Sequence, residues 1–535
     1  MSDPDIHPNI YSELRNICKH HIDSYIALYQ LKMEKEEDLN SIYRLIKTEL
    51  IDSNKYPPQI IMRDILNIIP YNNRYAKSYL SLAKLISDDY HVTEVRNVEQ
   101  PISNFLFYKE YGIKLDKSYD FEKFNLENLD IHIEDTIYRA IMYNDLERFI
   151  TFTEREYFDK DQILKCDLYP YSYYGYSLLE LCCYHGAVDC FKLLRTKFNS
   201  EITGNCLEFS FLRGNPDIMS ECLKYQKPDE YCMKYAIISH NIDFVTFLMN
   251  EYNIRIKLDY CVQFNNLESF LVYLDQTNDI NKCFANLAMF NIPSLCEYFL
   301  SNGANVNEKG EYGQTALHYA ACYNNKETAE LLISHGANIN EKDKYGTTAL
   351  HFAAKYNSKE TAELLISQGE NINEKNNYGT IALHFAAEKN SKEIAELLIL
   401  HGININEKND LRETTLHYAA EKNSKETAEL LILHGININE KDHRKRTALH
   451  YAAEHKFKET AELLISHGIN IDEKDNDGKT ALHIAARYNL KEIAELLISH
   501  GININEKDIF GLTALQIAAR YNYKEIAELL ISQLM

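Results

Sequence analysis

The string T-A-L-H begins at Thr315, Thr348, Thr447 and Thr480, and its variants I-A-L-H, T-T-L-H and T-A-L-Q begin at Ile381, Thr414 and Thr513. Each of these starts lies 33 residues after the one before. A second string, K-E-[TI]-A-E-L-L-I, keeps the same step from Lys326 to Lys524, and a third, G-x-N-[IV]-[ND], keeps it from Gly303 to Gly501. A period of this length dictates a repeat array, because each unit is one supersecondary piece that buries its apolar face only against its neighbours. The 535-residue length agrees, since single cores stop growing near about 250–300 residues.

Within a unit the pattern reads helix, turn, helix, finger. In Thr348–Lys375, Thr348 is an N-cap whose hydroxyl is expected to satisfy a free backbone N–H. Leu350, Ala353 and Ala354 make one apolar face at helical spacing, with the alanines small so that a second helix packs closely. Asn357 sits at the reversal and tolerates the left-handed conformation. Ser358 is placed to cap the second helix, whose stripe is Ala362, Leu365 and Ile366. Gly369 ends it, Asn371–Asn373 open an extended polar connector, and Tyr378-Gly379 marks a tight turn.

Asp343, Gly346, Thr348, Leu350, His351, Ala353, Ala354, Leu364, Leu365, Gly369 and Asn373 fall where the ankyrin repeat carries its signature, and the chain resembles that family over 300–535. Ala replaces the usual Pro at Ala349, and Asn replaces the inter-helix Gly; both substitutions suit the conformations required. Upstream, an eroded version of the pattern recurs from Ser177, Cys206, Cys232 and Tyr260, with the acid of the second helix at Asp189, Asp217, Asp243 and Glu268. Those steps of 28, 26 and 25 residues lack about a finger each, so short or absent fingers are expected. The predicted organisation is all-α: an N-terminal helical segment (1–130), degenerate ankyrin-like helix pairs (131–300) and seven regular repeats (301–535). Helices are predicted near Ile10–Leu31, Glu36–Ile51, Pro58–Ile69 and Asn72–Ile86, punctuated by prolines. The arrangement is similar to the expanded families of single-celled eukaryotes that join a helical segment and a degenerate-repeat domain of unknown function to regular ankyrin repeats.

The formal net charge of −22 opposes a whole-chain grip on nucleic acid or anionic membrane. No apolar run approaches the ~18 residues needed to span a bilayer, and the start lacks a signal-peptide pattern, so a cytoplasmic protein without membrane insertion is expected. The 12 cysteines include no C-x-x-C pair and read as reduced, mostly buried thiols. His318, His351, His384, His417, His450 and His483 form a ladder rather than a converging cluster, so no metal is expected; the resemblance implies a bracing role for them. Gly478-Lys479-Thr480 resembles the end of a phosphate loop but lacks its earlier glycine, position 473 being Glu. No catalytic residue and no cofactor are expected.

The finger tips and the ends of the first helices vary between copies while A-E-L-L-I does not. In ankyrin proteins these positions line the concave groove, so the resemblance implies a non-enzymatic scaffold with a protein partner. Candidate contact residues are Tyr312, Tyr323, Tyr345, Tyr356, Tyr378, Lys389, Leu411, Lys422, His455, Tyr488, Phe510 and Tyr521. A basic tip, His443-Arg444-Lys445-Arg446, is expected as a solvated anchor for an acidic segment. The competing reading is an adaptor or enzyme whose activity resides in 1–130. The last repeat ends at Leu534-Met535 with internal-type apolar residues, which is expected to leave the stack end uncapped.

Overall fold

The period of the apolar pattern fixes the architecture, because a helix pair with a single apolar stripe on each helix must stack. The computed structural model describes residues 10–32, 36–53, 56–95, 98–116, 121 and 135–533. The boundary drawn between 130 and 131, and Leu534-Met535, lie outside the described residues. The chain divides into two units, Met1–Asp279 and Ile280–Met535.

In the first unit the N-terminal segment forms helices Ile10–Ile17, Lys19–Tyr29, Glu36–Ile46, Pro58–Ile68, Ala76–Tyr90 and Pro101–Tyr111. Pro58 sits at the first helical position, where its missing N–H costs nothing. Five helix pairs follow, from Ile137–Met142 with Leu146–Thr153 to Leu258–Gln263 with Leu267–Thr277. Their reversals are made by Asn144, Gly186, Gly214, His240 and Asn265, all at positive φ. Asp189, Asp217, Asp243 and Glu268 lie in the first turns of the second helices, where an acid complements the helix dipole. The connections 199–203, 223–229 and 253–257 are short, as the reduced step requires. One connection departs from that expectation: 154–177 carries a two-stranded antiparallel hairpin, Ile163–Leu164 against Tyr176–Ser177. Its tip exposes Tyr171, Tyr173 and Tyr174. This segment precedes the first recognisable degenerate unit at Ser177, so no repeat step measured its length.

The N-terminal helices seat on these pairs, mostly at their reversals, and on the connection 154–177. Gln30 Nε2 donates to His240 O (3.0 Å), Asn73 Nδ2 to Leu168 O (2.9 Å), Tyr184 Oη to Pro70 O (2.8 Å) and Asn265 Nδ2 to Asp64 Oδ2 (3.1 Å). Arg15 Nε reaches Glu268 Oε1 at 2.6 Å, and Tyr29 stacks on His240 at 4.2 Å.

The second unit opens with the pair Ile280–Leu287 and Pro293–Ser301, then the seven regular repeats, whose first helices start at 316, 349, 382, 415, 448, 481 and 514. Asn357 takes φ 58° and Gly369 φ 90°. Two capping expectations are corrected. The Thr348 hydroxyl bonds His351 Nδ1 (2.9 Å) instead of a backbone N–H, and that ring nitrogen accepts from Thr348 N (3.2 Å). The Ser358 hydroxyl reaches back to Cys322 O of the preceding repeat (3.5 Å).

The histidine ladder ties each repeat to the next. His318, His351, His417 and His450 donate from Nε2 to Thr347 O, Thr380 O, Arg446 O and Lys479 O at 3.0–3.2 Å. With Nδ1 accepting and Nε2 donating, each ring is the neutral tautomer. Burial, ahead of the carbonyl that favours the charged form, lowers the pKa of His351 and His384 to about 4.

Two further ladders run through the connectors. Lys309, Lys342, Lys375 and Lys408 pair with Glu341, Glu374, Glu407 and Glu440 of the following repeat at 2.5–2.8 Å, and Lys441 and Lys474 continue the series to Glu473 and Glu506. Asn307, Asn340, Asn373, Asn406 and Asn439 each accept from a backbone N–H one repeat on. This accounts for the constancy of the N-E-K string.

One buried position breaks the pattern. Where four later repeats place Ile403, Ile436, Ile469 and Ile502, the second regular repeat places Glu370, also buried. Its Oε1 accepts from Leu350 N (3.0 Å), while Oε2 finds no partner among the described residues. Burial, reinforced by the Glu374 charge and opposed by the Thr348 and Leu350 hydrogen bonds, pushes its pKa up to about 7. Glu370→Ile is expected to stabilise the chain by about 1–3 kcal/mol at pH 8 and by less at pH 5.5, because the folded carboxyl is neutral at the lower pH. Urea midpoints at the two pH values check this, and an equal or negative change at pH 8 contradicts it.

Candidate partner-binding face

The fingers hold their tips through Asx turns. Asp343 Oδ1 accepts from Tyr345 N and Thr347 N at 2.8 Å each, and Asn376 Oδ1 accepts from Tyr378 N and Thr380 N at 2.9 Å each. Consecutive tips bond through backbone: Asn377 N donates to Tyr345 O (2.9 Å) and Asp410 N to Tyr378 O (3.1 Å). Gly346 and Gly379 are required here, since a Cβ would stand 2.9 Å from Asn377 N and from Asp410 N respectively. The tips therefore project Tyr312, Tyr345 and Tyr378 as an exposed row.

Between this row and the first helices lies a groove of about 420 Å³. Tyr345, Tyr356 and Tyr378 of the sequence candidates line it, with Phe352, Phe385, Tyr418, Lys355 and Glu388. Lys355 and Glu388 belong to the variable first-helix ends; Phe352, Phe385 and Tyr418 were missed. The signal was the residue after T-A-L-H, which is Tyr319, Phe352, Phe385, Tyr418 and Tyr451 in five successive copies. These aromatics also brace the stack: His318, His351, His384 and His417 meet the next ring edge-on at 5.2–5.6 Å. Phe352 stacks on Tyr356 within 11°.

The remaining candidates are spread along the array. Tyr323 is half-buried, and Leu411, His455, Tyr488, Phe510 and Tyr521 are exposed. Lys389 and Lys422 are exposed and pair with the adjacent Glu388 (3.0 Å) and Glu421 (2.8 Å).

The basic tip is not uniformly solvated. His443, Arg444 and Lys445 are exposed, with Lys445 at φ 60° in the position that five of the other fingers give to glycine and one to Arg412. Arg446 instead turns inward, pairing with Asp442 at 3.0 Å and Glu454 at 3.1 Å and lying 4.2 Å from the Tyr451 ring centroid. Tyr451 Oη donates to Glu413 Oε1 at 2.6 Å. Burial pushes the Asp442 carboxyl up, but the Arg446 backbone N–H, the Tyr451 hydroxyl and the Arg446 charge together hold it below its ordinary value. The sequence reading failed here because Asp442, Glu454 and the Tyr451 hydroxyl together draw the guanidinium inward, and no string of the finger shows that grouping. Arg446→Ser should therefore cost about 1–3 kcal/mol by leaving Asp442 buried and uncompensated. Arg444→Ser should change stability by less than about 0.5 kcal/mol. Equal urea midpoints for the two variants would remove the distinction.

Gly478 and Lys479 sit in a finger, with Lys479 Nζ on Asp477 at 2.7 Å. Among the described residues no group of three or more His, Cys, Asp or Glu is placed to hold a metal ion, and no helix is long and apolar enough to cross a membrane. The cysteines are free, all buried except the half-buried Cys166 and Cys322.

Comparison with known proteins gives two family matches. A domain of unknown function, DUF3447, matches 198–273. Ankyrin repeats (3 copies) match six overlapping segments that together span 258–534, more than half of the chain. No curated protein matches. Among the 491 solved chains that match is the human ASB11 ankyrin repeat domain, at 24% identity and TM-score 0.38, covering 41% of this chain and 98% of that one.

Proposed function

Because the chain belongs to the ankyrin-repeat family, we propose that its regular repeats act as a scaffold holding a protein partner against the finger and first-helix face. Ankyrin repeats indicate a protein–protein interaction module; the choice of face is the finer step. The observation that supports it is the groove under Tyr345 and Tyr378, where half-exposed rings on rigid tips overhang a first-helix floor of Phe352, Tyr356 and Phe385. Tyrosine supplies large contact area at small rotamer cost and is enriched where interfaces draw their affinity. The tips are held by backbone and Asx bonds that do not involve the rings, so removing the rings tests the surface without removing the scaffold.

The test uses the full chain as bait for partners captured from lysate, each then titrated as purified protein. Tyr345→Ala with Tyr378→Ala should leave the urea midpoint within about 0.5 kcal/mol and weaken the partner about tenfold or more. Arg444→Ser with Lys445→Ser should weaken an acidic partner at low salt and less so as the Debye length shortens. If both double variants hold every captured partner as tightly as the parent, the face is not the site.

A further inference from the structure

The second helices of the regular repeats show one face to solvent, and two of them break its pattern. In Lys392–Leu400 and Lys425–Leu433 the last residue is a leucine, 72% exposed in both. The other five repeats place an exposed serine there: Ser334, Ser367, Ser466, Ser499 and Ser532. The two helices pack side by side, so Leu400 and Leu433 stand as an adjacent pair, one interhelical distance or about 8–10 Å apart. Neither lines the groove beneath Tyr345 and Tyr378. Serine serves the stack equally well at this position, and leucines held out in water together make an apolar patch for another chain to cover.

Charge selects that chain. Glu393 and Glu396 precede Leu400 by seven and four residues, Glu426 and Glu429 precede Leu433 in the same way, and all four are exposed. Those spacings put each leucine and its two carboxylates on one stripe of its helix. In the first two repeats Lys326 and Lys359 hold Glu330 and Glu363 at 3.6 and 3.8 Å, whereas Glu396 and Glu429, at the same register, make no ion pair among the described residues. Glu426 accepts from Asn390 Nδ2 at 2.6 Å, which leaves its charge in place. The surface is thus an apolar pair continued by four negative charges. A second copy would lay the same carboxylates against themselves, and like charges across an interface oppose association. A cationic segment satisfies both halves. The distance between the leucines matches seven residues of helix rise, ~10.5 Å, so a helix with apolar residues at i and i+7 and basic residues on the flanking turns meets both.

We propose that Leu400 and Leu433, with Glu393, Glu396, Glu426 and Glu429, form a docking surface for a basic amphipathic helix of a partner protein. The surface shares no residue with the finger and first-helix face, so it is a second and separate site on the repeats.

The probe is a fluorescein-labelled leucine–lysine peptide about four helical turns long, its leucines on one face, titrated into the full chain and followed by anisotropy. Saturable binding is expected, weakened about tenfold or more by Leu400→Ser with Leu433→Ser. That variant carries the residue of the five other repeats, so its melting temperature should equal that of the parent. Glu396→Gln with Glu429→Gln should weaken binding at low salt, and by less as the Debye length shortens. A serine–lysine peptide of equal charge should bind about tenfold or more weakly than the leucine–lysine one. Tyr345→Ala with Tyr378→Ala should bind the probe as the parent does, which separates this surface from the groove. Equal binding by the parent and the leucine variant, or loss of binding in the tyrosine variant alone, overturns the proposal. So does a dimer of the parent in sedimentation that the leucine variant dissociates, since a second copy would then be the occupant.

Discussion

Lowering the pH from 7 to 4 is expected to unfold the regular repeats through their histidines before the carboxylates contribute. His318, His351, His384, His417, His450 and His483 all have lowered pKa values, with burial the largest cause in each. A histidine that stays neutral when folded but titrates at its ordinary 6.5 when unfolded makes the unfolded chain bind more protons. Its stabilisation is complete above pH 6.5 and is lost as the pH falls toward the folded value. For His351 and His384, with folded values of about 4, the loss is roughly 2 kcal/mol each by pH 5 and about 3 by pH 4. Glu370 works the other way between about 7 and its ordinary 4.5, but it is one group against six. The connector carboxylates Glu341, Glu374, Glu407, Glu440, Glu473 and Glu506 are held below their usual value by hydrogen bonds from lysines, so their loss begins lower. Denaturant midpoints should fall steeply between pH 6.5 and 5. The last repeat supplies the control, since Gln516 there accepts from Thr513 N at 2.9 Å with no titrating group. His351→Gln with His384→Gln should flatten the profile by about 4 kcal/mol at pH 5. A parent profile that is level from pH 7 to 5 would refute the account.

That ladder shows how much of the molecule a single sequence carried. Seven aligned copies reveal which residues recur, and recurrence at 33 was enough to place the helices of the seven regular repeats and the left-handed Asn357. Recurrence does not say what a residue touches. The stretch from Asn371 was read as a polar connector, whereas its Lys375 pairs with Glu407 of the next repeat and Glu374 with Lys342 of the one before; a bond across the period is invisible when only one unit is inspected. Arg446 failed for the opposite reason. It occurs in one finger only, so no column could show that it answers Asp442 and Glu454. Half of the groove was missed because Phe352 and Phe385 sit at a register expected of a packed helix face, and they serve both the stack and the groove. The N-terminal segment was legible as helices, from Ile10, Glu36 and Pro58, because local periodicity defines them. Its seating on His240, Leu168 and Pro70-Tyr184 was not, because those partners are separated by roughly 95 to 210 positions and share no pattern.

Leu383→Ala is expected to divide the second unit. Leu383 is fully buried in the first helix of a central repeat, which packs between Ala349–Tyr356 and Thr415–Glu421. Removing it forfeits buried surface and leaves a cavity, at a cost of ~2–5 kcal/mol. In a globular domain that loss would be shared by the whole fold. In a stack it falls on two interfaces, because each repeat holds only its neighbours. The bonds that cross those interfaces are modest: His384 to Glu413 O at 3.3 Å, Asn404 N to Asn373 Oδ1 at 2.8 Å, the exposed pair Lys375–Glu407 and the backbone link from Asp410 to Tyr378. Exposed pairs of this kind contribute roughly 0–1 kcal/mol each, too little to carry the coupling once the leucine is gone. Amide exchange should therefore quicken first in Ala382–Leu400 and in the helices on either side, while Ala481–Ser499 keeps its protection. The urea transition should broaden or split, with a smaller apparent slope. The groove should weaken with it, since Phe385 stands two positions from the deletion and lines that floor. Lys389→Ala, on the same repeat but exposed, should do none of this. A single sharp transition for Leu383→Ala, with its slope unchanged and exchange quickened evenly from 280 to 533, would mean that the unit folds as one block and that stacking energy is not carried repeat by repeat.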